Sequence, residues 1–193
     1  MRDVGSGHPQ LDFLRSLRST RRFRPEPVPD PVLTEILEAA RWCGSAHNRQ
    51  PWQFVVVRDA ATKGALAELG PYTEFFGAAA VVVAVVMTGE NQGFSFDCGR
   101  VTQQLLLAAH ACGVASCNAG LVPEENRQAA MRLLGVPAGH SLGVLVALGY
   151  RAPGDQLAPA GGIDRRSVTR GRKPLRELVH YERVAARTPP GEP

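Results

Sequence analysis

Two apolar patterns alternate along this chain, stripes at helical spacing and short unbroken runs. Over 30–44 the stripe is plain: Val32, Leu33, Ile36, Leu37 and Ala40 recur every three or four positions. Asp30 is a favoured N-cap, Pro31 is tolerated at the first helical position, and Gly44 is placed to end the helix. Further helices are predicted over 61–69, closed by Gly70-Pro71, over 97–112, and over 123–134, stopped by Gly135. A shorter helix is predicted over 11–24, with Phe13, Leu14 and Leu17 on its apolar side. Arg18, Arg21 and Arg22 then fall at i, i+3 and i+4 on one face. Pro25, Pro27, Pro29 and Pro31 impose an extended strap after it.

The unbroken runs read as strands. Residues 79–87 are uniformly apolar and rich in Val, as a central strand covered on both faces requires, and 142–148 repeat the pattern. A third strand is predicted over 53–58. Residues 44–52 and 88–96 are loops, and 115–121 are short and irregular. The second half of the 97–112 helix, LLLAAHAC, is apolar on all sides, so His110 and Cys112 read as core, buried against another protomer. Residues 151–170 hold too much Gly, Pro and Ala to build a core, and 174–184 read as a last amphipathic helix. We therefore read 1–193 as one domain, with a flexible lead at 1–10 and an arm at 151–193 that docks on a partner.

Length and composition change the picture little. A chain of 193 residues, 44% hydrophobic and 21% charged, is an ordinary globular domain. No apolar run approaches the ~20 residues of a membrane helix, and no secretory signal is visible at the N-terminus, so no membrane association is expected and the cytoplasm is the default. Cys43, Cys98, Cys112 and Cys117 contain no C-x-x-C, which argues against a disulfide scaffold and a metal site.

Charge is more informative. Residues 1–30 carry a net +2, 31–150 a net −2 and 151–193 a net +4. The basic excess thus sits at the two ends. No nucleic-acid-reading motif accompanies it, and two basic ends converging on one small anion explain the same distribution.

Four segments are candidates for chemistry. Arg18, Ser19 and Arg21 offer guanidinium forks and a hydroxyl, suited to a phosphate or polyol, although a solvated cationic face would look the same. The loop SAHNRQPW is a polar turn whose exit Pro51-Trp52 stiffens. VASCNAG, over 114–120, has small side chains that let backbone N–H groups approach a planar ligand. Arg170 and Arg172, at i and i+2, project the same way on an extended segment. There is no G-x-G-x-x-G after a strand, no P-loop and no G-x-S-x-G.

Taken in order, LRSTRRFRPEPVPD, SAHNRQPWQFVVV, DCGRVTQQLLLAAHACGVASC, VALGY and RGRKPLRELVHYER resemble the FMN-dependent nitroreductase family over nearly the whole chain. The resemblance implies an α+β fold, a central mixed β-sheet flanked by helices, with the C-terminal arm exchanged across a homodimer. It implies that Arg18, Ser19, Thr20 and Arg21 hold the ribityl-phosphate and pyrimidine edge of FMN. Leu17 stands where the family often has another Arg, which leaves more of the phosphate to Arg170 and Arg172. Ser45, Ala46, His47, Asn48 and Gln50 would reach over the flavin from the second protomer, and the backbone of Ala119 and Gly120 would lie against the ring. No side chain is expected as nucleophile or metal ligand. The implied activity is transfer of reducing equivalents from NAD(P)H through FMN to a nitroaromatic, quinone or similar acceptor, by a ping-pong mechanism. The alternative is a flavin-dependent oxidase of a specialised metabolite, such as a peptide-derived one.

Overall fold

The computed structural model describes residues 8–89, 93–154 and 175–184. They belong to two units, Met1–Ala158 and Pro159–Pro193. The first unit is built on a sheet of four strands in the order β1 (Trp52–Val57), β2 (Val81–Thr88), β4 (His140–Gly149), β3 (Ala115–Ala119). Neighbouring strands are antiparallel throughout. The α+β class is borne out. Among the described residues the expected mixed sheet is corrected to an antiparallel one, with the isolated bridge Ser19–Ser116 as a parallel neighbour.

Strand β2 explains the layering. Successive side chains of a strand point to opposite faces. Val81, Val83, Val85 and Met87 pack with Leu33, Ile36 and Ala40 of α2 (Asp30–Arg41) and with Val101, Leu105 and Ala109 of α5 (Phe94–Ala111). Val82, Ala84 and Val86 face the other way, against Leu66 of α3 (Ala60–Ala67), Phe75 and Phe76 of α4 (Phe75–Ala78), and Ala130 of α6 (Glu124–Leu133). Both faces are covered by helices, which is why the run is apolar without alternation. Each buried Val or Leu here contributes roughly 1.5–3 kcal/mol of transfer free energy.

Close approach at two glycines locks the sheet to its surroundings. Gly143 is the extra residue of a bulge between β2 and β4, and a Cβ there would strike the Cys98 sulfur of α5. At Gly149 a Cβ would stand 2.8 Å from Cδ1 of Phe23.

Phe23 belongs to the segment that departs most from expectation. Helix α1 (Pro9–Ser16) stops at Ser16, and 17–24 is extended. Thr20 N–H donates to the Ser116 carbonyl at 2.8 Å, Arg24 N–H to the Tyr150 carbonyl at 2.8 Å, and Ala152 N–H to the Arg22 carbonyl at 2.9 Å. Backbone groups beyond the β3 edge therefore recruit the segment, and this outweighs the helical spacing of its arginines, which gains nothing from stacking like charges. Arg18, Arg21 and Arg22 consequently do not share a helix face.

Smaller corrections follow the same logic. Residues 115–119 form a strand although their sequence does not alternate, because Ser116 and Cys117 are both buried beside β4. His110 is only half-buried, stacked on Phe13 with ring centres 4.9 Å apart and 2.7 Å from the Ser16 hydroxyl, and Cys112 is exposed, so neither is core. In the second unit, the helix expected over 174–184 is reduced to one 3₁₀ turn, Leu175–Glu177, as a segment this short gains too few hydrogen bonds to propagate. Arg170, Arg172 and most of the arm lie outside the described residues.

Candidate functional site

The extended segment 17–24 sets the first group of candidate residues. Arg18 is exposed and its guanidinium donates to the carbonyls of Arg15 and Leu17, covering the C-terminal end of α1. Ser19 and Arg21 flank Cys117 of β3. Burial pushes the Cys117 thiol up, while the Arg21 charge and the Ser19 hydroxyl oppose that shift. Arg21 is half-buried, and its guanidinium carbon sits 6.0 Å from the centre of the Phe75 ring. Thr20 points inward: it is fully buried, and its hydroxyl accepts from Arg151 Nε at 3.2 Å. Thr20 thus fastens the segment that presents Ser19 and Arg21.

Ala119 and Gly120 end β3 next to this group. Ala119 pairs with Leu145, and the space a Cβ on Gly120 would occupy is open, with no atom within 4 Å. A half-buried guanidinium, a hydroxyl and bare backbone facing open space form a donor set that fits a flat group with an anionic edge.

The second group is the loop before β1. His47, Asn48 and Gln50 all adopt positive φ, at 53°, 52° and 48°. Non-glycine residues in this region each cost about 1–3 kcal/mol and persist only where the surroundings impose them. The imposition is visible: Gln50 N–H donates to the Ser45 hydroxyl at 2.8 Å, Asn48 N–H to the Ser45 carbonyl at 3.1 Å, and Thr88 N–H to the Pro51 carbonyl at 2.7 Å. Ser45 is half-buried, while Ala46, His47, Asn48 and Gln50 are exposed.

The two groups lie at opposite edges of the sheet. The loop leads into β1, whereas Ser19 flanks β3 at the far side of β2 and β4. Four inter-strand spacings of ~4.8 Å put the edges about 19 Å apart. Ser19, Arg21, Ala119 and Gly120 are brought together; Ser45–Gln50 are not brought to them within one chain. Among the described residues, no group of three His, Cys, Asp or Glu could hold a metal ion.

Comparison with known proteins reads this arrangement. The model of the Nitroreductase family matches residues 14–73 and 67–150. The chain belongs to the nitroreductase family. It is accordingly an oxidoreductase. An Archaeoglobus fulgidus protein, provisionally named NADH dehydrogenase/NAD(P)H nitroreductase, is 32% identical over 146 residues, which cover 72% of this chain and 84% of that one. A provisionally named nitroreductase from Desulfovibrio desulfuricans, solved in complex with FMN, is 30% identical with a TM-score of 0.71, covering 92% of this chain and 99% of the other. Nitroreductase A from Vibrio parahaemolyticus shares the fold, with a TM-score of 0.78 at 21% identity over 94% of this chain and 78% of its own.

Three residues beside the candidate site escaped the sequence pattern. Ser116 holds the backbone of Thr20, the Cys117 thiol interacts with both Ser19 and Arg21, and Arg151 braces Thr20. The signal for Ser116 and Cys117 was the small-residue run VASCNAG, and Arg151 had none; nothing local announced that a segment a hundred residues earlier would pair with either.

Proposed function

We propose that this chain is an FMN-dependent NAD(P)H oxidoreductase that works as a homodimer, with one flavin in each of two clefts between protomers. The observation that carries the reading is the division of the candidate ligands between opposite sheet edges. One protomer offers Ser19, Arg21, Ala119 and Gly120, and the loop at 45–50 can complete that site when supplied by a second copy.

Bound FMN supplies the two-electron chemistry, taking a hydride equivalent from NAD(P)H and giving both electrons to an acceptor. The protein residues orient and stabilise. Arg21 would place its cation at the pyrimidine edge of bound FMN and so favour the anionic reduced cofactor. Ser19 would hydrogen-bond the ribityl chain and Arg18 would meet the phosphate with its remaining donors; the resemblance gives Arg170 and Arg172 the same part, and both lie outside the described residues. Thr20 keeps the segment in place from behind. Asn48 and Gln50, held in their left-handed conformation, would cover the ring from the partner side and limit water. For a quinone the balance is NAD(P)H plus a proton plus quinone, giving NAD(P)+ and hydroquinone. A nitroaromatic gives the nitroso compound and water with the same donor. One cleft serving donor and acceptor in turn requires ping-pong kinetics.

The test is direct. Purified protein should be yellow, release FMN on denaturation, run as a dimer, and give parallel double-reciprocal lines with NAD(P)H and a quinone. A colourless monomer would overturn the reading.

A further inference from the structure

The reduction proposed above consumes one proton for each quinone beyond what NAD(P)H delivers, and most groups assigned to the cleft cannot give one. A guanidinium such as that of Arg21 stays charged, and a serine hydroxyl or a backbone N–H is too weak an acid. His47 is the exception, because an imidazole exchanges a proton near neutral pH. It stands in the loop read as reaching the flavin, at φ 53° and ψ 26°. Ser45 holds that turn through its hydroxyl and carbonyl, and the Ala46 carbonyl accepts from Arg49 N–H at 3.2 Å. Gln50 spends its amide within the loop, donating to the Asn48 carbonyl at 3.3 Å. His47 is exposed, and among the described residues its ring makes no hydrogen bond, ion pair or ring contact. By contrast, His110 is engaged with Ser16 and Phe13, and His140 lies 3.3 Å from the Gln53 amide. The charged groups on the helices beside the loop are engaged elsewhere. Glu38 and Arg41 of α2 bind each other at 2.6 Å, and Arg100 of α5 is set against Gly44 with Asp97 at 3.9 Å. Arg49, exposed, is the loop's other charge. A strained turn that presents an unpartnered imidazole is a functional signal.

We propose that His47, brought over by the second copy, is the proton donor to the electron acceptor. The imidazolium gives a ring N–H proton to the quinone oxygen and takes one back from water before the next turnover. The two electrons and the other hydrogen come from NAD(P)H, so the sum stays balanced. For a nitroaromatic the same proton ends in the water that leaves. The acceptor class follows: it carries an oxygen that must be protonated as it is reduced, unlike a metal complex that takes electrons alone. His47 has this role only in a dimer, so the inference rests on the proposed homodimeric flavoenzyme. Contact with the second copy does not remove the loop from the site; it completes the site.

The test uses the full-length holoprotein. In the wild type, kcat/KM for duroquinone should fall as pH rises from about 6 to about 8, when an imidazole loses its proton. That for ferricyanide, which takes electrons without a proton, should change less. His47→Asn keeps a residue suited to the left-handed backbone. It should lower kcat/KM for duroquinone about 100-fold, lower that for ferricyanide far less, and flatten the pH profile. A readout without turnover is the NMR signal of the His47 ring, which duroquinone should shift in the oxidised protein. Hybrid dimers supply a second route. A His47→Asn protomer joined to a Gly120→Ala protomer, whose methyl would displace flavin, has one cleft with both cofactor and imidazole. Such hybrids should reduce quinone faster than either parent dimer. Equal losses with both acceptors, a pH profile unchanged by the variant, an unmoved ring signal, or hybrids no faster than the parents would overturn the proposal. A yellow dimer that fails in these ways keeps the oxidoreductase reading; a colourless protein sinks both.

Discussion

Arg151 and Thr20, 131 positions apart, meet through a 3.2 Å hydrogen bond from Nε to the buried hydroxyl. The contact ties the second residue after β4 to the segment that presents Ser19 and Arg21. Thr20→Val keeps the shape and leaves Arg151 without this acceptor. A loss of about 1–2 kcal/mol is expected, lowering Tm by roughly 2–8 °C, and thermal unfolding of purified protein measures it. FMN affinity should fall as well, because the loosened segment must be reordered on binding.

Two glycines should respond in opposite ways. Gly149→Ala drives a Cβ into Phe23 and should cost about 1–3 kcal/mol through overpacking. Gly120→Ala meets no atom within 4 Å and should leave Tm unchanged, yet the added methyl stands where the ring would lie. Flavin content after dialysis, read beside Tm, separates the two: Gly149→Ala loses stability first, Gly120→Ala loses cofactor first.

The cationic ligands can be weighed singly. Arg21→Gln and Arg172→Ala should each weaken FMN binding about 10- to 100-fold, the scale of one charge-assisted contact. Arg21→Gln should also make the flavin midpoint potential more negative, since it removes a cation beside the growing charge, whereas Arg172→Ala should leave the potential alone. Flavin fluorescence titration and a dye-linked redox titration provide the two readouts.

The thiols predict a pH dependence. Burial raises the pKa values of Cys43, Cys98 and Cys117. The unfolded chain releases these protons near the ordinary thiol value of ~8.5, while the folded protein still holds them. Stability is therefore present in full below that value and declines as pH climbs beyond it. Tm should drop between pH 7.5 and pH 9.5, and Cys117→Ala should flatten the slope. Exposed Cys112 should be the thiol that a maleimide labels promptly in the native protein. Glu38 acts in the opposite sense: the hydrogen bond from Arg41 holds its carboxyl down to about 2, so that contribution is full above the ordinary value of 4.5 and is lost progressively as pH falls toward 2.

Much of this architecture was legible in the chain. The Leu33–Ile36–Ala40 stripe located α2, although Pro29, not Asp30, is its N-cap and Asp30 is its first residue, and the all-apolar run of β2 gave away a strand sandwiched between helix layers. These signals are local, so a linear reading captures them. The segment 17–24 was misread because its arginines carry helical spacing, while the forces that straighten it come from Ser116 and Tyr150. Strand β3 was obscured for the same reason, and α4 is too brief, at 4 residues, to leave a period. Of the candidate site, the residue types were readable; that Thr20 turns inward and that the loop faces the opposite edge depended on the sheet.

One arrangement ties cofactor retention to colloidal behaviour. Residues 17–24 occupy hydrogen-bonding groups beside β3 that would otherwise template another chain. On the proposed reading, the ligands for the cofactor and a guard against fibril growth are the same stretch of backbone. Variants that shed flavin by freeing it should precipitate in storage sooner than variants that shed flavin by losing a side chain alone.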